Sequence, residues 1–224
     1  MKRFILPLFL LLLLTFNSCI DLSQTITINA DGSGNETSTI TFDKTFMDMI
    51  TSFAASFDST RRQEIIDSIY DNENFIDDMR EDFDSVQGIT LTNMSAQTNP
   101  DSSKSIYFSY NFISVDAIQN LFNSREASST MNSNISYITQ GDSIIFRIIY
   151  SKKQTGDDDT SGTALREEIG KLFENDMAHT TVNFPYPVIS TNGQLQGNSV
   201  TWNIPMENLY NMKEPVVMEA VLRK

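Results

Sequence analysis

Cys19 is the residue best placed to do chemistry in this chain, and it is the only cysteine. Ahead of it stand Lys2 and Arg3, a nearly unbroken apolar run from Phe4 to Phe16, and the small residue Ser18. A basic start, an apolar stretch too short for a comfortable bilayer span and a small residue before a cysteine form the pattern of a bacterial lipoprotein signal. The triplet Phe16-Asn17-Ser18 is a relaxed version, since the stricter form has Leu and a small residue in the first two places. On this reading residues 1–18 are a signal peptide, Cys19 becomes the N-terminus, and its thiol carries a lipid such as palmitate. A lone cysteine also excludes an internal disulfide and cysteine-rich zinc sites.

A second grouping has the residue types of a serine esterase. Gly141-Asp142-Ser143-Ile144 supplies a GDS followed by an apolar residue, and Asp176-Met177-Ala178-His179 supplies Asp-x-x-His. Assembled, Ser143 would attack, His179 would take its proton and Asp176 would orient the imidazole. The spacing opposes this. Esterases that open on such a motif place the serine near the chain start, with a full α/β domain before the Asp and His. Here the GDS falls on a hairpin turn, and His179 has odd parity in a stretch whose apolar positions, Ala178, Val182 and Phe184, are even. A non-catalytic domain is the main expectation and the esterase the alternative.

The other polar patterns have plain explanations. Asp77 with Glu81, and Asp78 with Asp82, stand one helical turn apart and could hold a hard cation. They read more simply as a solvated helix face, because Phe75, Ile76, Met79 and Phe83 mark the buried one. Asp31-Gly32-Ser33-Gly34 is turn chemistry and Asp157-Asp158-Asp159 is linker solvation, since neither has the bidentate Glu of a calcium loop. A single histidine excludes a histidine cluster, so neither metal nor cofactor is expected. The net charge of −13 repels phosphate backbones, so nucleic acid is not an expected partner.

These residues need elements to position them. Ile26, Ile28 and Ala30 alternate with polar residues, as do Ile40 and Phe42, so residues 22–43 read as a hairpin turning at Asp31 to Gly34. All these apolar positions are even, which requires an odd loop. Phe46, Met49, Ile50, Phe53 and Phe57 follow helical spacing and could line a groove for an acyl chain. Thr60 with Gln63 forms a capping box before Ile65, Ile66 and Ile69, and a helix continues through Phe83. Strands follow at Ile89 and at Ile106 to Phe112, then a short helix from Val115 to Phe122. A second hairpin pairs Ile135, Tyr137 and Thr139 with Ile148, Phe146 and Ile144 around Gly141-Asp142. Residues 154–162 read as a linker, and Ala164 to Phe173 as an amphipathic helix. Strands return at Ala178 to Phe184, Val188, Val200 to Ile204 and Val216 to Leu222, with Trp202 on the apolar parity. The order predicts an α+β fold, mostly antiparallel sheet built from hairpins, with amphipathic helices on one face. Residues 19–22 would be the lipidated N-terminus and a short tether, and 23–224 a single extracytoplasmic domain.

Cys19, the Thr25 to Ala30 strand with Asp31-Gly32-Ser33-Gly34, and Ser190-Thr191-Asn192-Gly193 leading to Thr201-Trp202 resemble the LppM-like domains of bacterial lipoproteins. The resemblance implies an α+β domain outside the cytoplasm with lipid or glycolipid as its expected ligand, and brings no catalytic residue with it. The expected protein is therefore an envelope lipoprotein that binds a hydrophobic or envelope ligand or a partner protein. Ile20, in place of Asp, after Cys19 favours the outer membrane over retention at the inner one in a two-membrane cell, with the body facing the periplasm or cell exterior.

Overall fold

Even-numbered residues face inward on most of the strands, and that one parity organises the molecule. A computed structural model describes residues 19–57, 63, 67, 71–125, 131–153, 173 and 176–224. The capping box at Thr60, the 154–162 linker, the Asp157 to Asp159 run and nearly all of the 164–173 helix lie outside the described residues, as do the side chains of Phe53, Phe57, Phe75 and Asp78.

The described residues begin with β1 (Ile20–Ile28) and β2 (Gly34–Phe42), then α1 (Lys44–Phe57) and α2 (Asn72–Asp84). Next come β3 (Ile89–Thr98), β4 (Lys104–Phe112), α3 (Val115–Arg125), β5 (Met131–Gln140) and β6 (Ser143–Lys152). The last part holds β7 (Met177–Asn183), β8 (Val188–Thr191), β9 (Gln194–Gln196), β10 (Ser199–Pro205), α4 (Met206–Tyr210) and β11 (Val216–Arg223). The fold is α+β, as expected. The sheet is not a single one, however. A 7-stranded sheet runs β3-β4-β2-β1-β7-β10-β9, and a 4-stranded sheet runs β5-β6-β11-β8.

Both expected hairpins form in the expected register. β1 and β2 pair from Ile20 with Phe42 to Ile28 with Gly34, so the loop is residues 29–33, an odd number. Ile135, Tyr137 and Thr139 meet Ile148, Phe146 and Ile144. Gly141 takes φ of 59°, a positive value suited to the first position of a type II′ turn. The one parallel pairing among the described residues, β1 with β7, joins strands far apart in the sequence.

The inner faces of the two sheets meet in one core. Phe146 of the smaller sheet lies edge-on to Phe184 at 5.2 Å and tilted to Trp202 at 6.4 Å. Helix α2 adds Phe83, whose ring centroid is 5.6 Å from Phe108 and 5.2 Å from Tyr110 on β4. Helix α3 buries Ile118 and Leu121. Its Gln119 then serves the edge strand β5, accepting from the Ile135 N–H at 2.7 Å and donating to the Ser133 carbonyl at 3.1 Å. That satisfies an edge that would otherwise offer open pairing groups.

The segments behind the LppM-like resemblance are structural. In the first, Asp31 accepts from the Ser33 N–H at 3.0 Å and from its hydroxyl at 2.6 Å, which holds the Asp31 carboxyl below the usual carboxylate range. In the second, Asn192 accepts from the Trp202 indole N–H at 2.7 Å and the Glu219 N–H at 2.9 Å, and donates to the Val217 carbonyl at 2.7 Å. One amide therefore joins the two sheets. Asn192→Ala removes all three bonds and is expected to destabilise the fold by about 2–3 kcal/mol, at roughly 1 kcal/mol per bond. Trp202 is the only tryptophan, so its fluorescence in a denaturant titration reports the change. An unchanged midpoint would show that these bonds contribute nothing net.

Candidate functional site

Two places bring polar groups together in a way that packing alone does not require. The first is the start of β1. Sheet pairing begins at Ile20, directly after Cys19. Residues 20–22 are thus sheet residues and not the tether expected of 19–22, because the register with Phe42, Thr41 and Ile40 captures them. Asp176 precedes β7, the parallel neighbour of β1, and is 1% exposed. Its Oδ1 accepts from the Cys19 N–H at 2.7 Å and its Oδ2 from the Ile20 N–H at 2.9 Å. On the other side the Asp43 N–H donates to the Cys19 carbonyl at 2.8 Å. Burial pushes the Cys19 thiol above its ordinary pKa, and the carboxylates of Asp43 and Asp176 add to the effect. The thiol is therefore kept protonated, a poor nucleophile in the folded chain.

The second place is a cavity of about 140 Å³ between the large sheet, α3 and the small sheet. Its walls come from Leu22 and Gln24 of β1, from Phe108 and Tyr110 of β4, from Leu121 and Phe122 of α3, and from Tyr150 of β6. Its polar floor is Glu36 and Ser38 of β2. Glu36 is 3% exposed. The Tyr110 hydroxyl donates to Glu36 Oε2, and the Ser38 hydroxyl donates to Oε1 at 3.0 Å. Burial raises the Tyr150 phenol above its ordinary range, and the Glu36 carboxylate raises it further, so this hydroxyl stays protonated. A carboxylate at this depth is costly unless its charge is met by donors or a cation.

The esterase residues are not brought together. Asp176 has both oxygens on the backbone at Cys19 and Ile20, while His179 is exposed and its Nδ1 lies 2.7 Å from Asn203 Oδ1. Ser143 begins β6 in the other sheet. Odd parity places His179 on the outer face, where the buried neighbours Ala178 and Thr180 are not. Of the proposed acyl groove, Phe46 stacks on Phe42 at 5.1 Å and tilts against Phe173 at 6.2 Å, so its ring is already engaged. Met49 and Ile50 are half-buried on α1, and neither they nor Phe46 lines the cavity. No group of acids, histidine and cysteine suited to a metal occurs among the described residues. Asp77 pairs with Arg80 at 3.0 Å on the surface.

Glu36 was the overlooked residue. Its signal lay in the parity argument: Glu36 and Ser38 occupy the same even positions as Ile40 and Phe42, so their side chains must face inward. Lys104 follows the same rule at the head of β4. It is 4% exposed, and burial lowers its ammonium pKa while Asp71 pulls the other way.

The arrangement is that of a two-sheet α+β fold. Among solved structures the chain is similar to the folded domain of Mycobacterium tuberculosis LppM, determined by NMR. The identity is 15% and the TM-score 0.46, over 92% of this chain and 90% of that one. It also aligns with the Fcho1 Mu homology domain of Danio rerio, solved with a bound Eps15 peptide, at 8% identity and a TM-score of 0.23, over 93% of this chain and 80% of that one. The first is the likeness expected from the turn segments. No protein-family model and no curated protein matches the chain. No helix among the described residues is long and apolar enough to cross a membrane.

Proposed function

We propose that this chain is a lipid-anchored domain of the bacterial cell envelope that works by binding and not by catalysis. The place of Cys19 in the fold carries the reading: the sole cysteine is followed at once by β1, and its N–H is held by a buried carboxylate. A cut before Cys19 leaves the whole of β1 in the chain. It leaves the Cys19 nitrogen as an α-amine or, once acylated, as an amide, and both keep an N–H for Asp176. The lipid then joins the body without a spacer, and the domain lies flush against the bilayer. Stable anchoring needs more than one acyl chain, since a single chain binds only marginally. Ile20 after the anchor favours the outer membrane. An envelope component or partner protein is the ligand class this placement suits.

The test is made in bacteria fed labelled palmitate. The unaltered chain is expected to take up label and sediment with membranes. Cys19→Ala is expected to take up none and to leave the membrane fraction. An unlabelled, soluble wild-type chain would refute the anchor.

A further inference from the structure

We propose that the outer face of the four-stranded sheet joins two copies of this chain, sheet on sheet, across a two-fold axis. The inference goes beyond the binding reading above and does not rest on the lipid anchor.

Even-numbered residues of β6 and β11 fill the core, so the odd ones point outward. An antiparallel sheet with one solvated face ordinarily turns polar residues to water. Here the register puts aliphatic ones there. Ile138, Ile145 and Val221 form one row across β5, β6 and β11, and Ile149 with Val217 forms another. Between these rows Arg147 stands opposite Glu219. Ile138 is 52% exposed and Val217 39%, at opposite corners of the patch. The side chains of Arg147 and Glu219 at its centre are 42% and 36% exposed. The patch is therefore open at its middle and at both ends.

Charge selects a second copy as the occupant. The outward residues of β5, β6 and β11 hold two arginines, Arg147 and Arg223, and one glutamate, Glu219, a sum of +1 in a chain of −13. The general repulsion between two acidic copies is relieved on this face. The central pair is also self-complementary. Arg147 donates from Nε to Glu219 Oε2 at 2.8 Å and from Nη2 to the same oxygen, which leaves Oε1 and Nη1 outside the pair. A second sheet would stack at the usual spacing of about 10 Å, with the two-fold axis along the strands midway between β6 and β11. Arg147 of each copy then lies over Glu219 of the other, and the four charges alternate in sign around a ring. Ile145 lies over Val221 of the second copy, and Ile149 over its Val217. Each apolar row meets an apolar row, as an isologous contact requires.

The area sets the strength. A face of four strands, each about seven residues long, covers on the order of 450 Å² per copy. The total of roughly 900 Å² is the size of a reversible association and not of an obligate dimer.

The experiment is sedimentation of the purified full chain in mild detergent across roughly 1–200 µM, the range suited to a contact of this size. The unaltered chain is expected to pass from monomer to dimer over that range. Arg147→Glu makes every charge in the ring negative and Glu219→Arg makes every one positive. Each variant alone is expected to associate at least about tenfold more weakly. An equimolar mixture of the two restores the alternation and should recover the dimer, which variants that had merely lost structure would not do. Ile145→Thr combined with Val221→Thr keeps β-branched side chains on both strands. It should weaken the contact by a similar factor with Trp202 fluorescence unchanged. A chain that is monomeric throughout leaves the face to a different protein and overturns the proposal. A single charge variant that associates like the parent, or a mixture that stays monomeric, overturns it as well. Label uptake at Cys19 has no bearing on these results, so the two readings fail separately.

Discussion

Asp176→Ala is expected to destabilise the fold by about 3–4 kcal/mol, because two hydrogen bonds to a charged acceptor are lost at roughly 1.5–3 kcal/mol each, less some recovery by water. The lost bonds tie the N–H groups of Cys19 and Ile20 to a residue on the far side of the chain, and the one to Ile20 is buried. Alanine leaves both donors facing an empty space. Asn is not a conservative rescue here, since one of its two polar atoms is a donor facing a donor. Its cost should therefore approach that of Ala. The pairing of β1 with β7 is the parallel seam of the large sheet, so hydrogen exchange should accelerate first at Leu22 to Thr27. Chemical denaturation of Asp176→Ala, Asp176→Asn and the parent measures the effect. A loss below about 1 kcal/mol would mean that the carboxylate does not hold the start of β1.

Gly34→Ala should cost about 3 kcal/mol or more, which is severe overpacking for a single methyl. A Cβ at Gly34 would lie 1.9 Å from the Thr27 carbonyl oxygen and 2.6 Å from Cζ of Phe112. The first contact is backbone and cannot rotate away. Glycine is required there by space, since its φ is not among the positive ones. Gly32 in the same turn is the opposite case. Its φ is 84° and nothing stands within 4 Å of an added Cβ, so Gly32→Ala should cost only the strain of the left-handed backbone, about 1 kcal/mol. Melting of the two variants side by side separates crowding from conformation. At roughly 2–4 °C per kcal/mol for a domain of this size, Gly34→Ala should melt about 6–12 °C below the parent. Equal melting of the pair would contradict the close approach of β1, β2 and Phe112.

Alternation and turn residues were enough to read both hairpins, including the pairing of Tyr137 with Phe146, because those contacts are local. The parallel seam was not legible. Periodicity says that Ile26 and Val182 each face inward, but nothing near either residue says that they are partners. The division into two sheets escaped for the same reason. Asp176 was visible only as half of an Asp-x-x-His pattern, since its true partners are backbone groups at the other end of the fold. The strand Gln194–Gln196 and the helix Met206–Tyr210 are too short to show a period. Glu36 is the instructive case. The even-parity rule that predicted Ile40 and Phe42 as core predicts a carboxylate in the core too, and the cavity is where that leads.

The reading of Cys19 as the anchor governs how the molecule is placed in the cell. Its most direct measurement is mass spectrometry of the N-terminal peptide from protein extracted from bacterial membranes. The account predicts a peptide that begins at Cys19 and carries the mass of a diacylglyceryl thioether. A peptide that retains residues before Cys19, or begins at Cys19 with an unmodified thiol, would contradict it.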